Sequence, residues 1–390
     1  MKILLINDYS TLTGGAELLI LALRDKLRQR GHDARCFSST AQPLPVATQA
    51  DYLCYGTTSG WRTLLQTANP WAVRRLKQVL QEFKPDVVHV FLFLTQLSPS
   101  ILPLIKDIPS IYYAVWYRAI CPVGTKLLPD KTPCQVTFGV PCYQNHCLPL
   151  RDWVPLRFQM KQWQKQRHHF NLFVAASEAV KQRMLEAEIS PVEVVWHGVP
   201  LEPQRPALKA PPTIAFAARL VKEKGAEVLL RAFAEVTAKI PAAKLYLVGD
   251  GSERESLQRQ IKELHLTENV VMPGQMPRLA MEALFATAWV QVVPSLWAEP
   301  FGLIVANAMM RGTAVIASAT GGLKDIIKPG ETGFLVPPGD AKALAEKLLI
   351  LLQNRELAET LGENGRRFAR KELTEDIFVD RFLSLYDRIL

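Results

Sequence analysis

Short apolar runs alternate with amphipathic stretches along nearly all of the 390 residues. That alternation restricts the chain to parallel sheets covered by helices on both faces. One hydrophobic core stops growing near ~250–300 residues, so two such domains are expected. The break is visible. Between Pro200 and Pro212 stand five prolines, which continue neither a helix nor a central strand.

Before the break, strands are expected at Lys2–Ile6, Ala34–Ser38, Val87–Phe91, Ile111–Val115, Leu172–Ala175 and Val192–Val195. Helices are expected at Ala16–Arg30 and Val73–Phe83. After it, strands are expected at Thr213–Ala217, Lys244–Val248, Val270–Met272, Trp289–Val293 and Ala314–Ser318. They alternate with helices at Gly225–Lys239, Glu253–Glu263, Leu303–Arg311 and Ala341–Gln353. The last segment, Glu375–Leu390, carries Ile377, Phe378, Phe382, Leu385 and Ile389 on one stripe, as a packed helix would. The expected fold is α/β: two doubly wound, Rossmann-like domains facing a cleft, where ligands bind at the carboxyl ends of the strands. The expected divisions are residues 1–200, a linker at 201–212, a second domain at 213–372 and a terminal helix at 373–390.

The second domain holds three segments suited to phosphate. Arg219 and Lys224 follow a strand directly and precede a helix, which suits a diphosphate. Gly249 and Gly251 make a tight strand-to-helix turn. Glu299 stands before a helix whose first amides, near Phe301, Gly302 and Leu303, lack helical acceptors and attract anions. An acid beside an anion site makes sense when it faces neutral hydroxyls. Together they point to a sugar phosphate.

The order of these motifs resembles the family 4 retaining glycosyltransferases. Gly-Gly-Ala-Glu at Gly14–Glu17, Arg219-x4-Lys224-Gly225, Gly249-Asp250-Gly251, Glu299-Pro-Phe-Gly-Leu303 and Gly321-Gly322 carry it, with the run from Gly330 to Asp340. The resemblance implies the GT-B fold, with the terminal helix crossing back to the first domain. It implies transfer of a hexose from a UDP- or GDP-sugar to an acceptor hydroxyl with retention of configuration. It implies Arg219 and Lys224 at the donor diphosphate and Glu299 at the sugar hydroxyls. Gly302 and Leu303 would face sugar and phosphate, Gly14 and Gly15 would approach the phosphates, and Gln275 and Met276 would pack on the base. No metal is expected for catalysis, and the sequence has no Asp-x-Asp to hold one.

The chain departs from the family at three places. Asn307 replaces the second Glu of the Glu-x7-Glu pair, the residue that accepts from ribose. The strand ending in Phe91 and Leu92 keeps His89 but lacks the second His and the Asn common there. Val115 and Trp116 stand where many members have His-Asp. Two readings follow. Either His89 and Trp116 belong to an acceptor side remade for a lipid-linked or aromatic acceptor, or catalysis is impaired and the chain is a nucleotide-sugar-binding partner or regulatory subunit.

Two further segments stand apart. Cys121, Cys134, Cys142 and Cys147 lie in an irregular excursion spanning about residues 119–150, where structural zinc, disulfides and free thiols are all open. From Asp152 to Phe170 the chain is basic and aromatic. Trp153, Leu156, Met160 and Trp163 recur at helical spacing, as do Arg157, Lys161 and Lys165. Such a helix packs on its own domain or lies on an anionic membrane.

The formal net charge of +9 suits anionic partners. No helix-turn-helix, zinc-finger or RNP-type signature supports nucleic acid as one of them. The opening apolar run, Ile3–Ile6, is too short for a signal peptide, and no stretch reaches the roughly 20 apolar residues of a membrane span. The expected location is cytoplasmic, at most peripheral on a membrane.

Overall fold

A computed structural model describes residues 1–11, 14–43, 46–130 and 132–390. The chain forms two compact units, Met1–Gly198 with Glu375–Leu390, and Val199–Thr374.

The first unit is built on a parallel sheet of β1 (Lys2–Ile6), β2 (Asp33–Ser39), β3 (Tyr52–Cys54), β4 (Val87–Val90), β5 (Ser110–Ala114), β6 (Leu172–Ala175) and β7 (Val192–Val194). Their order is β3-β2-β1-β4-β5-β6-β7. Every residue of β4, β5 and β6 is buried, as expected for strands covered on both faces. Its helices are α1 (Gly15–Gln29), α2 (Arg62–Thr67), α3 (Pro70–Phe83), α4 (Val140–Gln144), α5 (Leu150–Gln166) and α6 (Glu178–Glu186). Asn69 caps α3 through its side chain, and Pro70 sits at the first helical position, where no amide partner is lost.

The second unit repeats the plan with β8 (Thr213–Ala217), β9 (Lys244–Val248), β10 (Val270–Gly274), β11 (Val290–Val293), β12 (Ala314–Ser318) and β13 (Phe334–Val336). Its order is β10-β9-β8-β11-β12-β13, again parallel. Its helices are α7 (Ala226–Lys239), α8 (Arg254–Glu263), α9 (Arg278–Phe285), α10 (Leu303–Arg311), α11 (Leu323–Ile326), α12 (Ala341–Gln353) and α13 (Arg355–Glu372). The proline-rich stretch is irregular but attached to this unit. Leu208 is buried in its core, and Trp289 Nε1 donates to the Lys209 carbonyl at 2.9 Å.

The final helix, α14 (Glu375–Ile389), belongs to the first unit. Phe378, Phe382 and Tyr386 bury against Tyr113 and His89. Lys26 of α1 pairs with Asp376 at 3.2 Å, and Arg30 pairs with Asp376 and Asp380. The terminal helix therefore crosses back as expected, and both domains have the Rossmann-like order.

Candidate donor site

In each sheet the strand order reverses beside the first strand, between β1 and β4 and between β8 and β11. Ligands of such sheets bind at the carboxyl ends of the strands at this point.

In the second unit, the segments leaving β8, β11 and β12 interlock. Gly225 has φ +70, and a Cβ there would lie 1.9 Å from the Pro294 carbonyl oxygen. Gly321 has φ +54, and a Cβ would meet the Glu299 carbonyl oxygen at 2.2 Å. Only glycine permits both approaches. Gly322 then donates its amide to the Glu299 carbonyl at 2.8 Å. The glycines fix where Lys224 and Glu299 stand.

Glu299 is buried, and its Oε1 accepts from Lys224 Nζ and from Ser295 Oγ, each at 2.6 Å. Lys224 Nζ also lies 5.0 Å from the centroid of the Trp297 ring. A carboxylate removed from water needs such partners. Arg219, by contrast, is exposed at the exit of β8, and among the described residues no carboxylate pairs with it. Lys224 thus has a carboxylate partner, and Arg219 has none among the described residues.

Helix α10 starts after Gly302, whose φ is +109. Its first amides have no helical acceptor, and they follow Glu299 directly. One turn in, Asn307 is half-buried, and its Oδ1 is buried with no hydrogen-bond partner among the described residues. A buried acceptor left unpaired costs about 1–3 kcal/mol. Phe301 is buried. Gln275 is exposed after β10, and Met276 packs against the small cluster of Ala215, Ala217, Val248, Phe285 and Ala288. Gly249 closes the β9 exit by donating to the Gly274 carbonyl at 2.9 Å.

The first unit holds the remaining expected residues. Gly14 is extended and precedes α1, which begins at Gly15. Glu17 folds back, so a Cβ on Gly14 would meet its Oε2 at 2.3 Å. Burial raises the Glu17 carboxyl above its ordinary range, with Asp8 adding to the effect. Asp8, at the exit of β1, accepts from the amides of Thr95, Gln96 and Leu97 at 2.7–2.9 Å and orders that loop.

His89 is fully buried, with Nδ1 at 2.6 Å from the Tyr386 hydroxyl. Burial pushes its pKa down to about 3, so the ring is neutral. It anchors α14, and an acceptor has no surface of it to touch. Trp116 is half-buried beneath the cysteine-rich excursion; a Cβ on Gly124 would meet its ring at 2.8 Å. It packs against that loop and is no open stacking platform.

In the candidate zinc set, Cys121 and Cys134 come close enough to act on the Cys142 thiol, and all three act on Cys147. All four are free thiols, and among the described residues no three His, Cys, Asp or Glu gather to hold a metal ion. The Cys134 thiol turns toward Lys126 Nζ and the Val136 carbonyl. Burial first, and the neighbouring cysteines after it, raise the Cys142 and Cys147 thiols. The stripe of α5 points inward as well. Leu156, Met160 and Trp163 are buried, and Trp153 Nε1 donates to the Gly139 carbonyl at 3.0 Å.

Sequence reasoning missed Ser295 and Trp297. The available signal was position: both lie between the β11 exit and Glu299.

Two family models match the chain side by side. Glycosyltransferase Family 4 matches residues 13–203, and Glycosyl transferases group 1 matches residues 201–368. The chain belongs to the family 4 glycosyltransferases. Sulfoquinovosyl transferase of Arabidopsis thaliana is 34% identical over 92% of this chain and 64% of that protein. The matches to the three leading curated relatives span 43 to 64% of their lengths. Among solved structures, sucrose-phosphate synthase from Thermosynechococcus elongatus covers 100% of this chain and 99% of its own, with TM-score 0.76 and 23% identity. Anabaena HepE, solved with UDP-glucose, covers 100% of both chains, with TM-score 0.69 and 19% identity. These likenesses show the GT-B fold of the family 4 glycosyltransferase.

Proposed function

We propose that this glycosyltransferase moves a hexose from a UDP- or GDP-sugar to an acceptor hydroxyl, retaining anomeric configuration and needing no metal. The observation that carries the reading is the Lys224–Glu299–Ser295 cluster, beside the free amides of α10 and the exposed Arg219. Solved HepE with UDP-glucose supports a nucleotide-sugar donor.

The chemistry follows from charge. As the bond from the anomeric carbon to the diphosphate breaks, negative charge grows on the departing phosphate. A cation near 4 Å contributes roughly 4 kcal/mol of attraction at an effective dielectric of ~20. Only the part that increases toward the transition state accelerates the reaction. Arg219 and Lys224 supply that charge, which removes the need for a divalent ion. Glu299 takes sugar hydroxyls and holds Lys224 in place. The acceptor oxygen bonds to the anomeric carbon on the face the diphosphate leaves. Its proton passes to the departing phosphate oxygen, so the Val115 substitution and the buried His89 do not stop the reaction.

The test is incubation of the full chain with UDP- and GDP-hexoses and a panel of saccharide and lipid-linked acceptors, with and without a chelator. Transfer that survives chelation, with the anomeric proton coupling of the donor preserved in the product, is expected. Donor binding without any turnover would favour the binding-subunit reading. Loss of transfer on chelation would overturn metal independence.

A further inference from the structure

The first unit carries an apolar shelf that its own core leaves uncovered. On α5, Leu150, Val154 and Phe158 recur every four residues and are 53, 43 and 60% exposed. They lie on the face opposite Leu156, Met160 and Trp163, which are buried. The helix is thus apolar on two opposed faces, and packing on the unit explains one of them. On α2 and the residue before it, Leu64 and Trp61 are 54 and 71% exposed. Between the two helices runs an open groove lined by Leu64, Thr67, Leu150, Val154, Pro155 and Phe158, with Arg151 at its rim.

The shelf is held in shape from below. Thr63 Oγ1 donates to Asp152 at 3.1 Å, and Thr67 Oγ1 donates to the Pro155 carbonyl at 3.2 Å. Gln159 of α5 donates to the carbonyls of Gln66 and Leu94. The buried Arg118 donates to the Gln66 side chain and the Leu94 carbonyl, each at 2.9 Å. Ordering this face therefore needs no partner.

Its charge selects the partner. From Trp61 to Thr67 the only charge is Arg62, which is exposed. Along α5, Arg151, Arg157, Lys161 and Lys165 stand against Asp152 alone. The Asp152 carboxylate is already engaged by Thr63 and, at 3.5 Å, by the exposed Arg151. Lys161 and Lys165 are exposed and continue the line of Leu150, Val154 and Phe158 around the helix. A second copy of the same surface would bring like charges together, which disfavours self-association. An apolar strip rimmed by cations, with an exposed tryptophan beside it, matches the acyl–headgroup boundary of an anionic bilayer.

We propose that α2 and α5 form a docking surface for anionic phospholipid. Trp61, Leu64, Leu150, Val154 and Phe158 enter the boundary, and Arg62, Arg151, Lys161 and Lys165 face the headgroups. The surface lies within the first unit and does not depend on the donor reading.

The experiment is co-sedimentation of the full chain with phosphatidylcholine vesicles, with or without phosphatidylglycerol, at low and high salt. Binding to the mixed vesicles that weakens with salt is expected. The apolar variant Leu64→Ser/Phe158→Ser and the charge variant Lys161→Glu/Lys165→Glu should each weaken partitioning about tenfold or more. Both should retain wild-type melting and nucleotide-sugar titration, since the altered side chains are exposed. No binding to anionic vesicles at low salt would overturn the proposal. So would equal binding by the properly folded variants, or a dimer in solution that Leu64→Ser/Phe158→Ser abolishes.

Discussion

Lys224 and Glu299, 75 positions apart in sequence, meet at 2.6 Å in the second unit. The pair exists because the loops leaving β8 and β11 are pressed together at Gly225 and Pro294. Directly bonded residues couple energetically, typically by about 0.5–3 kcal/mol. A double-mutant cycle of Lys224→Ala and Glu299→Ala, read in stability and in turnover, should therefore be non-additive. Arg219→Ala with Glu299→Ala should be closer to additive in stability. Equal coupling for both pairs would contradict this geometry.

Removing either cation should slow turnover. By analogy with loss of one oxyanion donor, Arg219→Ala or Lys224→Ala is expected to cost ~10²–10³ in kcat. Steady-state kinetics with a saturating donor measures it, and an unchanged rate in one variant removes that residue from the mechanism.

Asn307 offers a neutral acceptor where the family has a carboxylate. Asn307→Glu should tighten nucleotide binding, because a charged acceptor makes the stronger hydrogen bond to ribose. Titration calorimetry against the unmodified chain decides this. No change would mean that Asn307 does not face the ribose.

Acid should weaken the first unit through His89 and His197. Burial lowers both from 6.5 to about 3. The unfolded chain takes up these protons as the pH falls through about 6.5, while the folded chain does not until about 3. Stability is therefore fully present above that range and is lost on acidification, by about 1.4 kcal/mol per pH unit for each ring. His89→Gln should remove one ring's share of this slope between about pH 6 and 4.5. Denaturant melts across that window measure it, and an unchanged slope would contradict the burial argument. The raised carboxyls of Asp8 and Glu17 act in the opposite sense, from their ordinary values of 3.8 and 4.5 upward, because the folded chain takes up these protons first.

Much of the fold was legible because its strands are fully buried and read as plain apolar runs. Lys2–Ile6, Leu172–Ala175, Thr213–Ala217 and Lys244–Val248 end where the sequence places them. Helix α13 was missed for a physical reason. Gly362 and Gly365 lower helix propensity, yet they sit where α13 packs on neighbouring segments; a Cβ on Gly362 would meet the Gly312 carbonyl oxygen at 2.2 Å. Helix α5 was legible as a helix but not as one with two apolar faces, because sequence spacing alone does not say which face is covered. The interlocking of the loops after β8, β11 and β12 was foreshadowed by their glycines and charges, Gly225, Gly321, Lys224 and Glu299. His89 did not reveal its role, since its partner Tyr386 lies 297 positions away.

The most direct test of the central claim is a calorimetric titration of the full chain with UDP, GDP and their hexose conjugates, beside Arg219→Ala. Tight binding of one nucleotide sugar, lost in the variant, is the predicted result. Binding by none of them, or undiminished binding in Arg219→Ala, would contradict the donor site described for the second unit.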